Sequence, residues 1–230
     1  MTASPPPVVE VTAFDPLVPD LARAVRPREA GTRILIGVVG EPGAGKSTVA
    51  AALVAALGAT AVQVPMDGYH LADRVLELHG SRDRKGAPDT FDGWGYLALL
   101  DRLRTETDHD VYAPQFERDL EQPLANAVPV TPAQTVVVSE GNYLLLDADP
   151  WPAVRARFDQ VWFVAMDDGV RLDRLIARHV EYGKSPEAAR AWVLANDEPN
   201  ARLIRATRDR ADLVLETTRL PMPHGPGLEG

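Results

Sequence analysis

An α/β domain, a parallel sheet with helices packed on both faces, is what this sequence predicts, and three observations predict it. The first is Gly40-Glu41-Pro42-Gly43-Ala44-Gly45-Lys46-Ser47, which fits G-x-x-x-x-G-K-[ST], the phosphate-binding P-loop. The second is the context of that motif. Arg33-Ile34-Leu35-Ile36-Gly37-Val38-Val39 before it is a nearly unbroken apolar run, as in a buried parallel strand. Thr48 to Leu57 after it is rich in helix formers and is stopped by Gly58. The third is that short apolar segments keep alternating with helical ones along the chain, which places helices on both faces of a parallel sheet.

Taken in order, residues 1–30 read as a lead: a disordered, proline-bearing start from Met1 to Pro7, then a short helix from about Asp15 to Arg26, with Leu17, Leu21 and Val25 at four-residue spacing. The main domain spans 31–220. After the P-loop helix, Ala61 to Val64 is a second strand that closes on Pro65-Met66-Asp67, and a helix follows from Leu71 to Leu78, ended by Gly80. The polar stretch Ser81 to Asp89 has the composition of a loop. Asp92 fits a helix cap for about Trp94 to Arg104. An insertion over 105–132, with three prolines between Val111 and Val130 and little helical period, reads as short strands. Thr135 to Val138 is a third strand ending at Ser139-Glu140-Gly141, and Val161 to Ala165 a fourth. Helices from Gly169 to Val180 and Pro186 to Thr207, a fifth strand from Asp212 to Leu215 and a flexible tail over 221–230 complete the chain.

Composition narrows the function. The net charge of −9 argues against general nucleic-acid or anionic-membrane binding, which favour basic surfaces. Without cysteine there is no disulfide framework, thiol nucleophile or thiolate zinc site, and the five histidines show no metal-ligand spacing. No apolar run approaches transmembrane length and no signal-type segment follows the N-terminus, so a cytoplasmic protein is expected.

The chemistry is expected at the carboxyl ends of the strands, where open parallel sheets bind their ligands. Residues Gly40 to Thr48 would wrap a polyphosphate with backbone N–H groups, helped by the helix N-terminus; Lys46 would reach the β- and γ-phosphates and Ser47 would ligate Mg²⁺. Asp67 ends the second strand, placed to take a proton from an acceptor hydroxyl or to help hold the metal; an Asp-Gly hairpin turn is the plain alternative. Tyr69 and His70 follow it and are assigned to the acceptor site with it. Glu140 closes the third strand as a Walker-B-like carboxylate supporting Mg²⁺ and bordering the acceptor; a solvated strand-end acid is its alternative. Arg171, Arg174 and Arg178 share one helix face and suit a lid over about 168–186, with Arg171 assigned to the nucleotide and Arg174 and Arg178 to catalysis, and with the arginine that touches the γ-phosphate left open; an exposed charged face is the alternative. Lys184 fits either the lid or the surface. Tyr112 and Arg118 in the insertion suit a small polar substrate, or core packing and the surface respectively. Asp92 reads equally as a helix cap and as an acceptor contact.

Together, the P-loop, Asp67-Gly68-Tyr69, Pro88-Asp89-Thr90-Phe91-Asp92, Glu140-Gly141 and the arginine helix resemble the uridine kinase, phosphoribulokinase and pantothenate kinase family, from about Ile34 to Leu215. The resemblance implies the nucleotide-kinase-like P-loop fold with a five-stranded parallel core, ATP and Mg²⁺ as cofactors, and Asp67 as the base. Asp67 to Asp92 and Thr207 to Leu213 look closest to bacterial pantothenate kinase. Val111-Tyr112-Ala113-Pro114 lacks that enzyme's Tyr-x-His pattern, and the overall look is nearer a nucleoside- or sugar-kinase-like bacterial branch, so pantothenate is not carried over. The expected activity is phosphoryl transfer from ATP to a small-molecule hydroxyl, with a homodimer as the assembly left open. A P-loop switch of GTPase type is the competing class, but no Asn-Lys-x-Asp guanine motif is present and Asp83-Arg84-Lys85-Gly86 sits in a polar loop. A degenerate binding protein is the third, against which Lys46, Ser47, Asp67 and Glu140 all stand intact.

Overall fold

Strand β2, Ile34–Gly40, alternates its side chains so strictly that it divides the molecule in two. Leu35 and Val39 enter one buried cluster, with Val64, Met66, Tyr96, Leu100 and Tyr143. Ile36 and Val38 enter the other, with Val49, Ala50 and Leu53 of the helix that follows the P-loop. A strand buried on both faces is the signature of a parallel sheet sandwiched between helices. The computed structural model describes residues 4–13, 20, 22, 25–26 and 31–220. The helix expected from Asp15 to Arg26 lies almost wholly outside the described residues, and the tail from Pro221 lies entirely outside them.

Around β2 stand β1 (Val8–Glu10), β3 (Ala61–Gln63), β6 (Val136–Glu140), β7 (Gln160–Ala165) and β8 (Leu213–Glu216). They form one parallel sheet in the order β1-β8-β7-β2-β6-β3. Five of the six are the strands the sequence predicts, displaced by no more than two residues at either end. The sixth, β1, comes from the expected lead: Val8, Val9 and Glu10 pair with Val214, Leu215 and Glu216 at the sheet edge. The chain leaves β2, crosses to the far edge at β3, returns to β6 and then passes to β7 on the opposite side, so its direction reverses at β2. That reversal opens a crevice at the carboxyl end of β2, where ligands bind in such folds.

The α-helices lying wholly within the described residues are α1 (Lys46–Leu57), α2 (Asp73–His79), α3 (Gly93–Thr105), α4 (Trp151–Arg157), α5 (Asp168–Glu181), α6 (Pro186–Trp192) and α7 (Glu198–Arg205). Asp92 caps α3, its Oδ1 accepting from the Gly95 N–H at 2.8 Å, and Tyr96, Leu99, Leu100 and Leu103 form the buried stripe. The single helix predicted over Pro186 to Thr207 is broken by a π-turn at Val193–Asp197. Pro199 has no N–H for the carbonyl four residues back, and the Glu198 N–H bonds instead to the Val193 carbonyl, five back. Helix α4, which seals the core with Trp151 and Val154, has only two turns and no pattern the sequence would reveal.

The predicted insertion is an antiparallel hairpin, β4 (Val111–Glu117) with β5 (Gln122–Val130). With only two strands, both are edges, which is why Pro114, Pro123 and Pro129 are tolerated. Pro114 coincides with a register shift between Ala113 and Gln115. The hairpin docks on the turn Met66–Tyr69 that carries Asp67. Gly68 makes this possible, because a Cβ there would overlap the Pro114 carbonyl and crowd the Gln115 nitrogen.

Gly68→Ala should therefore push the hairpin off the turn. The expected cost is about 1–3 kcal/mol of stability in urea denaturation. Loss below a few tenths of a kcal/mol would mean that the hairpin rides free of the turn.

Candidate functional site

The P-loop occupies the crevice. Gly43 and Gly45 adopt φ of +84° and +90°, conformations that glycine alone takes readily and that turn successive N–H groups inward. Lys46 opens α1 and folds back over the loop, its Nζ donating to the Glu41 carbonyl at 3.1 Å. Ser47 Oγ donates to Glu140 Oε1 at 3.1 Å. The strand register produces that contact: Val38 lies opposite Glu140, so the last residue of β6 stands beside the strand that feeds the P-loop. Asp67, half-buried in the turn after β3, completes the group.

These charges act on one another. Burial pushes the Glu140 carboxyl above its ordinary range, Asp67 pushes it further, and Lys46 and Ser47 pull it back. Burial lowers the Lys46 ammonium, against the pull of Glu140 and Asp67. A hydroxyl and two carboxylates beside one lysine form a hard-oxygen donor set of the kind Mg²⁺ takes together with phosphates and water. Among the described residues, no group of three or more His, Cys, Asp and Glu side chains is placed to hold a metal by itself.

Beyond Asp67 a pocket of about 370 Å³ opens, with His70, Phe116, Arg118 and Arg178 in its lining. The His70 ring lies between Phe91 and Phe116, at centroid distances of 4.0 and 4.8 Å. Its Nδ1 is 2.9 Å from the Asp67 carbonyl, an acceptor only, so Nδ1 carries the proton. Burial keeps the ring's pKa below its ordinary value. Tyr69 turns away onto Tyr96, ring centroids 5.4 Å apart, and burial raises its hydroxyl to about 12.

The arginine stripe of α5 separates into three environments. Arg171 is buried beneath the P-loop: Nη1 donates to the Pro42 carbonyl at 3.2 Å, Nε lies 3.3 Å from Glu41 and 3.2 Å from Asp168, and Nη2 meets Glu198. Arg174 donates to Met166 Sδ at 3.4 Å and does not line the pocket. Arg178 does line it, as does Lys184, whose ammonium sits 5.0 Å from the Trp192 ring. Two other expected contacts stand apart from the pocket. Tyr112 is half exposed on the hairpin, and Asp92 is an exposed cap on α3. Two groups that shape the site are not among the site residues expected from the sequence. Arg205 grips Glu41 with one edge of its guanidinium, Nε donating to Oε1 at 3.0 Å and Nη2 to Oε2 at 2.6 Å, across 164 residues. Lys85 bridges Asp73, at 2.6 Å, and the Glu121 carbonyl, at 2.5 Å, tying the loop before α3 to the hairpin tip.

Comparison with known proteins agrees with this architecture. The sequence profile of the Phosphoribulokinase / Uridine kinase family matches residues 35–221. A Schizosaccharomyces pombe protein named "Putative uridine kinase" is 32% identical over 222 residues, which span 92% of this chain and 93% of that protein. The crystal structure of a "putative fructose transport system kinase" from Silicibacter sp. TM1040 superposes with a TM-score of 0.78 at 38% identity, covering 88% of this chain and 98% of that one. YFH7 from Saccharomyces cerevisiae, at 20% identity and a TM-score of 0.70 over 80% of this chain and 92% of that one, shares the fold.

The raised Glu140 carboxyl has a measurable consequence. From the ordinary carboxylate range up to the folded pKa, the folded chain holds a proton that the unfolded chain has lost, so stability falls as pH rises through that window. Glu140→Gln should flatten that fall and raise ligand-free stability at neutral pH by about 1 kcal/mol, read by urea denaturation in chelator across a pH series. A drop in stability instead would make ionised Glu140 a net favourable partner.

Proposed function

The chain belongs to the phosphoribulokinase/uridine kinase family of P-loop kinases, and from that membership we propose that it moves the γ-phosphate of ATP to a hydroxyl of a small metabolite, with Asp67 as general base. The observation that carries the reading is the meeting of Ser47, Glu140, Asp67 and Lys46 at neighbouring strand ends. The P-loop N–H groups and Lys46 would cradle the triphosphate. Ser47 and Glu140, with Asp67 beside them, would hold Mg²⁺, which when bound neutralises charge on the β- and γ-oxygens.

On this reading the acceptor enters from the pocket side and sets its hydroxyl against the Asp67 carboxylate. Asp67 takes the hydroxyl proton as the new O–P bond forms and the bond to ADP breaks. Arg178 faces the same space and would meet charge spreading over the transferring phosphoryl. Arg171 has a different role here. Engaged by Glu41, Asp168 and Glu198, it would shape the P-loop rather than contact nucleotide. Arg174 would reach the phosphoryl only after leaving Met166.

Labelled ATP with a panel of hydroxylated metabolites tests the reaction. Asp67→Asn keeps the size and removes the proton acceptor, and should lower kcat by about 10²–10⁴-fold with ATP affinity little changed. Near-full kcat in this variant would remove Asp67 from the role of base.

A further inference from the structure

From the charge arrangement of the pocket we propose that the acceptor is anionic: a hydroxyl-bearing metabolite with a carboxylate or phosphate group that Arg118 binds. This inference rests on the kinase reading above and adds the substrate class.

The pocket carries five lysines and arginines against two carboxylates, in a chain whose net charge is −9. The carboxylates do not offset Arg118. Asp73 is taken up by Lys85 and by Arg82, at 2.6 and 3.0 Å, and its pKa falls to about 2, chiefly through the Lys85 hydrogen bond. Glu121 is exposed at the hairpin turn. Among the described residues, the side chains of Arg118 and Arg178 form no ion pair and no hydrogen bond; after burial, Arg118 is the charge that most disfavours ionised Arg178, against the weaker pull of Asp197 and Asp67. Two unpaired guanidinium groups facing one space create a demand for oxyanions.

Position separates their roles. Arg178 adjoins Lys46, on the nucleotide side. Arg118 stands in the hairpin turn between β4 and β5, where its charge reaches both Arg178 and Glu140. The Pro114 carbonyl of β4 abuts Gly68, the Phe116 ring packs on His70, and Arg118, in the turn that follows β4, lines the same pocket as His70 and Phe116. An acceptor hydroxyl at Asp67 would thus lie along His70 and Phe116, with its acidic group at Arg118. His70 is held neutral with its proton on Nδ1, so it offers no competing cation.

Paired acceptors that differ in charge test this: glycerate with glycerol, ribose 5-phosphate with ribose, and uridine as a neutral nucleoside, each with MgATP and either the native chain or Arg118→Gln. The charged member of the carboxylate or phosphate pair should be phosphorylated at least about 10-fold more efficiently than its neutral partner. Arg118→Gln should raise the KM for that acceptor by about 10–100-fold and leave the KM for ATP within about twofold. Which pair responds separates carboxylate from phosphate. Equal or better transfer to the neutral partners or uridine, or a change confined to the KM for ATP, overturns the proposal. If no acceptor is turned over, thermal shifts with glycerate and ribose 5-phosphate, in Mg²⁺ and a nonhydrolysable ATP analogue, give the answer. A stabilisation lost in Arg118→Gln supports the anion site, and none overturns it. Failure to bind the ATP analogue at all would instead defeat the kinase reading, and the same anion titrations without nucleotide would then judge the site alone.

Discussion

The arrangement depends on one hydrogen bond, from Ser47 Oγ to Glu140 Oε1. It joins the first turn of α1 to the last residue of β6, and it can form only if β6 pairs directly with β2 in the observed register. That pairing sends β3 to the outside of β6 and leaves the Asp67 turn next along the same sheet edge. The price of the arrangement is a carboxylate buried near a second one, which burial and Asp67 both make harder to ionise. Such a site is unfavourable to the fold by itself, a cost that a cation would offset under the proposed function, and that trade is common where function outweighs stability.

A second constraint lies under the P-loop. Glu41 falls at a variable position of the motif, yet it is buried and held by Arg205 and Arg171, whose remaining donors reach Asp168, Glu198 and the Pro42 carbonyl. A buried arginine with this many partners contributes mainly shape, because desolvation offsets most of the attraction, whereas removing one partner leaves a charge stranded. The loop that must wrap phosphates is thereby fixed by charges from α5 and α7 before any phosphate arrives.

The sheet and the strand-end acids were legible because both signals are local. Apolar runs mark buried strands, and an acid just past such a run falls at the ligand edge. The arginine stripe shows where local reasoning stops. Arg171, Arg174 and Arg178 do share a helical face, but seven residues of helix are about 10 Å of length. Arg171 therefore meets Glu41 under the loop while Arg178 meets the pocket. Tyr112 and Asp92 had two readings each. The hairpin turns Tyr112 outward, and Asp92 spends Oδ1 on capping α3. The Glu41–Arg205 pair spans 164 residues and leaves no pattern in the chain. β1 was hidden for a different reason, since three residues after a proline run are too short to show a period.

The central claim is that Ser47 and Glu140 act as one unit toward Mg²⁺. Calorimetry of ATP binding, with Mg²⁺ and with chelator, tests it most directly in the native chain, Ser47→Ala, Glu140→Gln and the double variant. Residues in contact that serve one ion should be strongly non-additive. Each single variant should lose most of the gain in ATP affinity that Mg²⁺ provides, and the double variant should lose little more. Full additivity, or a Mg²⁺ gain that survives in either single variant, would contradict the account.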